Sequence, residues 1–375
     1  MKIIAFYLPQ FHQIPENDEW WGEGFTEWTN VKKAKPLFPR HNQPREPLND
    51  YYYNLLDEST LEWQISLAKE YGIYGFCFYH YWFNGHLLLE KPVELFLRNK
   101  NLEQKFCICW ANEHWTKAWV SKENTVLIEQ KYGGPKEWEE HFNYLLPYLK
   151  DDRYITIEGK PLIVIYRPEI IDRLDEMLEH WKHLACLNGL NGLSFAFQHP
   201  SYFVYPKRRD DLFDYYIEYQ PVFASTLLSN KKFLLLKKIK RRLALFLEKH
   251  FRIVTELGKT KKLSHKNYDE VWKFINSYKP DSSKAIPGAF VDWDNTPRRS
   301  NLGTVYDGVT PEKFKKYLSA QILNAKNNYK KDYLFMFAWN EWSEGGYLEP
   351  DKKNGCAMLN AIKEALNENG EFPNE

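Results

Sequence analysis

Two glutamates three residues apart stand in the run Phe337-Ala338-Trp339-Asn340-Glu341-Trp342-Ser343-Glu344-Gly345-Gly346-Tyr347. In a helical turn that spacing brings Cβ atoms to roughly 5–6 Å. Carboxyl groups at such range push their pKa values apart, so one can donate a proton while the other stays ionised. Cleavage of a glycosidic bond needs such a pair. Asn340 adds a carboxamide beside them. Trp339 and Trp342 add faces that exclude water or stack on a sugar ring. The plain alternative is a pair of surface glutamates after a strand; the flanking aromatics and the strand-end position favour chemistry.

Other polar residues gather after apolar runs in the same way. His12 follows the first run and is joined by Trp21, Glu23 and Glu27 in a polar-aromatic loop. His80 and Trp82 follow the second. Trp110, Asn112, Glu113 and His114 close the third, and Asp292-Trp293-Asp294 follows a later one. All are expected to bind sugar hydroxyls or wall a cleft. Asp-x-Asp also occurs in metal-dependent transferases, but no nucleotide-binding sheet precedes it, so neither a metal nor a cofactor is expected. No glycine-rich phosphate loop, Ser-His-Asp order or zinc spacing is present. Aromatic residues make up 17% of the chain, with 14 Trp and 25 Tyr. Their company of Asn, Glu, His and Gly suits sugar rings, whose C–H faces stack while their hydroxyls seek hydrogen bonds. The alternative is an aromatic core.

The elements that must carry these residues are eight strand-length apolar runs: 2–8, 74–81, 106–110, 161–166, 193–197, 215–219, 286–293 and 333–339. Helical patterns separate most of them, at 59–71, 92–98, 136–149, 170–187, 311–328 and 356–366. Near-continuous apolar strands alternating with helices imply parallel strands covered on both faces. A count of eight predicts a (β/α)8 TIM barrel, in which the C-terminal strand ends hold the active site. The sixth strand has little helix before it. A chain of 375 residues is expected to form one such catalytic domain over 1–375, interrupted near 225–266.

That interruption shows in the charge. The chain holds 51 basic and 50 acidic residues, a net of +1. Residues 230–266 carry thirteen Lys and Arg against Glu248 and Glu256, a net of +11, leaving −10 on the rest. Lys231, Lys237, Lys238, Arg241 and Arg242 interleave with Leu236, Ile239, Leu243 and Phe246. This predicts a basic amphipathic helix, which suits either an anionic membrane surface or packing on the barrel. An acidic body argues against nucleic acid. Five cysteines, with Cys107 and Cys109 alternating in one apolar run, read as reduced thiols.

The motif Asn340-Glu341-Trp342-Ser343-Glu344-Gly345 resembles the signature of glycoside hydrolase family 99, the endo-α-mannosidases. Ala5-Phe6-Tyr7-Leu8-Pro9-Gln10-Phe11-His12 and Trp21-Gly22-Glu23-Gly24-Phe25-Thr26-Glu27-Trp28 resemble more closely the WbsX-type proteins of bacterial surface-polysaccharide clusters. Gly75 to Trp82, Trp110 to Glu113 and Tyr347 to Asp351 match as well. The resemblance spans about 1–220 and 286–365 and implies a (β/α)8 barrel with a retaining mechanism at an α-linked sugar. It implies that Glu341 assists the sugar's own 2-hydroxyl as internal nucleophile and that Glu344 protonates the departing oxygen. It also places Asn340 in the site and makes Tyr7 an active-site tyrosine. The chain departs from family 99 at Ser343, where histidine is common.

The leading expectation is a glycosidase or transglycosylase acting on an oligosaccharide or lipid-linked glycan in O-antigen or capsule metabolism. A nucleotide-sugar-dependent glycosyltransferase and a non-catalytic glycan-binding protein are the alternatives. The N-terminal apolar run reads as a buried strand, not a signal peptide. The expected location is cytoplasmic, peripheral at the inner face of the cytoplasmic membrane through the basic segment.

Overall fold

The computed structural model describes residues 1–116, 126–200, 210–229 and 262–373, with 236, 239–240, 242–244, 246–247 and 250 between the last two stretches. Eight parallel strands form the barrel: β1 (Lys2–Tyr7), β2 (Ile73–Phe83), β3 (Lys105–Trp110), β4 (Lys160–Ile165), β5 (Ser194–His199), β6 (Tyr215–Glu218), β7 (Ala285–Ile286 and Gly288–Phe290) and β8 (Tyr333–Phe337). Each expected strand is present within a few residues. β1 pairs with both β2 and β8, which brings the two ends of the chain together.

The ring closes through β7, whose two halves serve different neighbours. Ala285–Ile286 pairs with β6, and Gly288–Phe290 with β8. Pro287 separates them because it has no N–H for a ladder; its carbonyl still accepts from Phe335 N at 3.1 Å. Gly288 allows the crossing, since a Cβ there would lie 1.9 Å from the Glu218 carbonyl oxygen.

Among the described residues eight helices cover the barrel: α1 (Glu58–Glu70), α2 (Lys91–Arg98), α3 (Pro135–Leu149), α4 (Leu174–Leu187), α5 (Val222–Leu227), α6 (Tyr268–Ser277), α7 (Pro311–Asn324) and α8 (Ala357–Glu368). Each long one buries one stripe; α4, for example, turns Leu174, Met177, Leu178, Trp181, Leu184 and Ala185 inward at helical spacing. Their starts follow the sequence: Thr310 accepts from Lys313 N ahead of Pro311, and Asn267 accepts from Glu270 N. Between β5 and β6 the described residues hold a turn of 3-10 helix, Asp210–Leu212, and the rest of the connection expected to hold little helix, 201–209, lies outside them.

The segment between β1 and α1 carries two short helices, Pro15–Trp21 and Glu27–Lys33. The second packs against the turn Trp342–Glu344 and the short helix Thr296–Arg299. Within the basic insertion, Lys231, Lys237, Lys238 and Arg241 lie outside the described residues. Arg242 is helical and exposed, and Leu236, Ile239, Leu243 and Phe246 are exposed beside it. Its expected borders overlap the fold proper: 225–227 belong to α5, and Ser264–Asn267 pairs in parallel with Thr304–Asp307. No helix among the described residues is long and apolar enough to cross a membrane. All five cysteines are free, and Cys77, Cys107 and Cys109 are buried.

Candidate active site

β8 ends at Phe337, and the next ten residues are locked to the barrel rim. Trp339 N donates to Phe6 O at 2.8 Å. The Asn340 carboxamide receives Leu8 N at 2.8 Å and donates to Leu8 O at 3.0 Å. Asn340–Glu341 then pairs antiparallel with Gly346–Tyr347, joined by the 3-10 turn Trp342–Glu344. Gly345 closes this hairpin at φ 67°, and a Cβ there would lie 2.7 Å from Asp294 N. Below the turn the Trp342 indole stacks on Tyr347 at 3.8 Å and donates to Glu349 at 2.6 Å.

The hairpin presents Glu341 and Glu344 to one cleft of about 540 Å³ at the C-terminal strand ends. Its walls are Tyr79 and Tyr81 of β2, Ala111, Glu113, His114 and Trp115 after β3, Tyr166 after β4, Tyr219 after β6, and Arg298. The opposite rim carries Glu113, paired with Arg167 at 2.5 Å. His114 Nδ1 accepts from Gln130 N at 2.8 Å, so the neutral ring carries its proton on Nε2. Phenol and indole faces with polar tips around a carboxylate pair suit a sugar ring.

One guanidinium serves the pair. Arg298 Nη1 lies 2.8 Å from Glu344 and Nη2 lies 3.3 Å from Glu341. Its Nε and Nη2 also reach Glu27, at 2.9 and 2.7 Å. Two buried carboxyls and a half-buried one around one guanidinium leave an excess of negative charge, which a low-dielectric site resists. Burial is the largest cause, with the neighbouring carboxylates adding to it and Arg298 opposing. Together they push Glu341 up to about 8 and Glu344 above its ordinary range. Glu344 is the more accessible of the two, with 20% of its side chain exposed against 7% for Glu341.

The residues expected in the site divide sharply. Glu341, Glu344 and Glu113 line the cleft. His80 and Trp82 face away from it, onto α3. His80 Nε2 sits 2.9 Å from His141 Nε2, and Trp82 stacks on the His141 ring at 4.6 Å. Burial lowers His80 to about 3. Trp110 packs outward against Trp181 and His141. Tyr7 also points outward, donating to Gln64 of α1 at 2.7 Å. Asn112 ties β3 to β4 through Arg167 N and O, both at 2.8 Å. Asn340 and Trp342 hold the hairpin from behind, as described above.

His12 accompanies Pro9 O at 3.0 Å in a separate hollow with Trp28 and Tyr53, and burial lowers it to about 4. Asp292 pairs with Arg45 at 2.8 Å outside the cleft lining. Asp294 receives His41, Gln43 and Thr296. Among the described residues no group of three or more His, Cys, Asp or Glu is arranged to hold a metal ion.

Strand parity accounts for most of these placements. Side chains alternate across a strand, so if His80 faces α3 then Tyr79 and Tyr81 must face the axis. The same holds for Trp110 against Ala111 and for Glu218 against Tyr219. Glu218 faces outward and accepts from Tyr329 at 2.7 Å. Choosing polar residues at strand ends therefore selected the outer face, while the cleft is walled by tyrosines. Arg298 lies in the short helix Thr296–Arg299 after β7, and nothing in its local sequence beyond its charge marks it as a site residue.

The family described as "Glycosyltransferase WbsX" matches residues 3–362. Two curated relatives, both named "Uncharacterized protein WxcX" and from two strains of Xanthomonas campestris pv. campestris, are 33% identical over 373 residues. That alignment covers 97% of this chain and 49% of theirs, so the chain spans about half the length of the curated relatives it matches. Among solved structures, the GH99 endo-α-mannosidase from Bacteroides thetaiotaomicron superposes with a TM-score of 0.55 at 15% identity, over 98% of this chain and 96% of that one. A "glycoside hydrolase-like protein" superposes with a TM-score of 0.55 at 12% identity, over 100% and 94%. At these identities the likeness is one of fold.

Proposed function

This chain belongs to the WbsX glycosyltransferase family, and from that premise we propose that it is a carbohydrate-active enzyme which cleaves or transfers an α-glycosidic bond with retention. Glu341 and Glu344 are the reacting pair, and the setting is bacterial surface-polysaccharide metabolism, O-antigen or capsule. The observation that carries the reading is a buried and a half-buried carboxyl, both pushed up in pKa, on one hairpin of a tyrosine-walled cleft. Residues 1–375 act as one catalytic domain, with 225–266 as an insertion.

The chemistry follows the resemblance noted from the motif. Glu341 takes the proton of the sugar 2-hydroxyl as that oxygen attacks C1. Glu344 gives its proton to the glycosidic oxygen, and the C1–O bond breaks with the electron pair leaving on that oxygen. An incoming hydroxyl then surrenders its proton to Glu344 and attacks C1, the C1–O2 bond formed in the first step breaks with its electron pair on O2, and O2 regains its proton from Glu341. Two inversions at C1 give net retention. Burial favours the shared proton on Glu341 in the empty cleft, whereas the reaction begins with it on Glu344. A sugar hydroxyl donating to Glu341 stabilises its carboxylate and moves the proton across. Water as acceptor gives hydrolysis and a glycan hydroxyl gives transfer.

The basic segment supports a lipid-linked glycan as substrate, met at the inner face of the cytoplasmic membrane. The family's description favours a second reading, transfer from a nucleotide sugar. Incubating the protein with free and lipid-linked α-oligosaccharides, with and without nucleotide sugars, separates the two by product mass. Chain shortening or exchange without nucleotide is expected; extension only when a nucleotide sugar is present overturns the proposal.

A further inference from the structure

Glu27 lies outside the cleft lining, behind Arg298, yet it meets that guanidinium at two nitrogens, Nη2 at 2.7 Å and Nε at 2.9 Å. Both side chains are buried, at 2% and 5% exposure. Each is held by hydrogen bonds of its own. Glu27 opens the helix Glu27–Lys33, and its N–H donates to Gln10 O at 3.0 Å. Ser343, between the two cleft glutamates, reaches the Glu27 carbonyl at 3.5 Å. Arg298 sits in the helix Thr296–Arg299, whose start is fixed by Thr296 Oγ1 donating to Asp294 Oδ1 at 2.6 Å. Asp294 N in turn donates to Glu344 O at 2.7 Å.

A guanidinium is planar, so gripping its Nε edge fixes the direction of both remaining nitrogens. Held by Glu27, Arg298 can only turn Nη2 toward Glu341 and Nη1 toward Glu344. We propose that Glu27 is a positioning residue for the glutamate pair: it sets which nitrogen serves which carboxyl and withdraws part of the cation's charge from both. This rests on the reading of Glu341 and Glu344 as the reacting pair. An arginine devoted to the pair alone would hold both as carboxylates and leave no acid for the leaving oxygen. With Glu27 claiming a share, the pair keeps one proton. Glu27 accordingly raises both glutamates while Arg298 lowers them.

The other titratable groups facing the pair are Tyr79 and Tyr81 from β2, Glu113 and His114 after β3, and Tyr166 and Tyr219 across the cleft. Arg299 adds a lowering influence on Glu344.

The test needs no substrate, so its outcome is separate from whether glycan turnover is found. Infrared difference spectra recorded across a pH series follow the buried carboxylic acid of the full-length protein. Glu341→Gln, Glu344→Gln and their double variant identify which signal belongs to the pair. Glu27→Gln keeps shape and an acceptor for Arg298 while removing charge, so a packing role alone leaves the titration unmoved. The expected result is a midpoint lowered by about one pH unit or more in Glu27→Gln and raised in Arg298→Gln. Glu27→Asp, with charge kept and reach shortened, gives a smaller fall and serves if Glu27→Gln does not fold by circular dichroism. An unmoved or raised midpoint in the folded Glu27 variant, or a lowered one in Arg298→Gln, overturns the proposal.

Discussion

Replacing Glu341 by Gln should stabilise the fold at alkaline pH while removing activity. Folded Glu341 keeps its proton up to about pH 8, whereas the unfolded side chain loses it near the ordinary 4.5. Between those values the folded state binds more protons than the unfolded one. Stability due to this group is therefore fully present below about 4.5, falls as pH rises, and levels off above about 8. The gap corresponds to at most about 5 kcal/mol at ~1.4 kcal/mol per pH unit. Relaxation around a triad that shares Arg298 brings the expected gain to about 2 kcal/mol at pH 9 and close to zero at pH 4.5. For a chain of 375 residues the unfolding entropy is roughly 0.8 kcal/mol per kelvin, so ~2 kcal/mol moves Tm by about 2–3 °C. Scanning fluorimetry on wild type and Glu341→Gln across this range reads the difference directly. The two curves should diverge as pH rises. Parallel curves, or a variant less stable than wild type at pH 9, would refute the buried, proton-holding carboxyl.

Asn340→Ala orphans the buried N–H and C=O of Leu8 and should cost about 2–4 kcal/mol, read by urea denaturation; an unchanged midpoint removes the clamp from the account. The rate of glycan turnover should fall on the alkaline side with a midpoint near 8, where the glutamate pair gives up its last proton; a pH–rate profile flat to pH 10 contradicts this. Tyr81→Ala, on the cleft wall, should lower kcat/KM at least about tenfold, while His80→Phe, on the outer face of the same strand, should leave it unchanged; a reversed pattern would mean that the parity of β2 is misassigned.

The barrel was legible because strands buried on both faces read as apolar runs and helices announce themselves by period and caps. All eight strands lie where the apolar runs place them. The break in β7 was marked by Pro287, which the run passed over. The site was less legible, for a physical reason. Polarity at a strand end identifies the rim but not which way a side chain points, and parity is set by the register with neighbouring strands. His80, Trp82 and Trp110 thus read as ligands and instead pack beneath α3, while Tyr79, Tyr81 and Tyr219, apolar-looking neighbours, wall the cleft. Glu341 and Glu344 escaped the ambiguity because a hairpin beyond β8, not a barrel strand, presents them. Arg298 was invisible because it meets Glu27, Glu341 and Glu344 only through tertiary contacts 271, 43 and 46 residues apart in sequence.

The most direct measurement follows the anomeric signal of the first product by NMR during turnover of an α-linked glycan, with wild type, Glu341→Gln and Glu344→Gln side by side. A retaining reaction of this glutamate pair predicts the α-anomer first, equilibrating only later, and loss of product in both variants. The β-anomer appearing first, or full turnover by either variant, would contradict it.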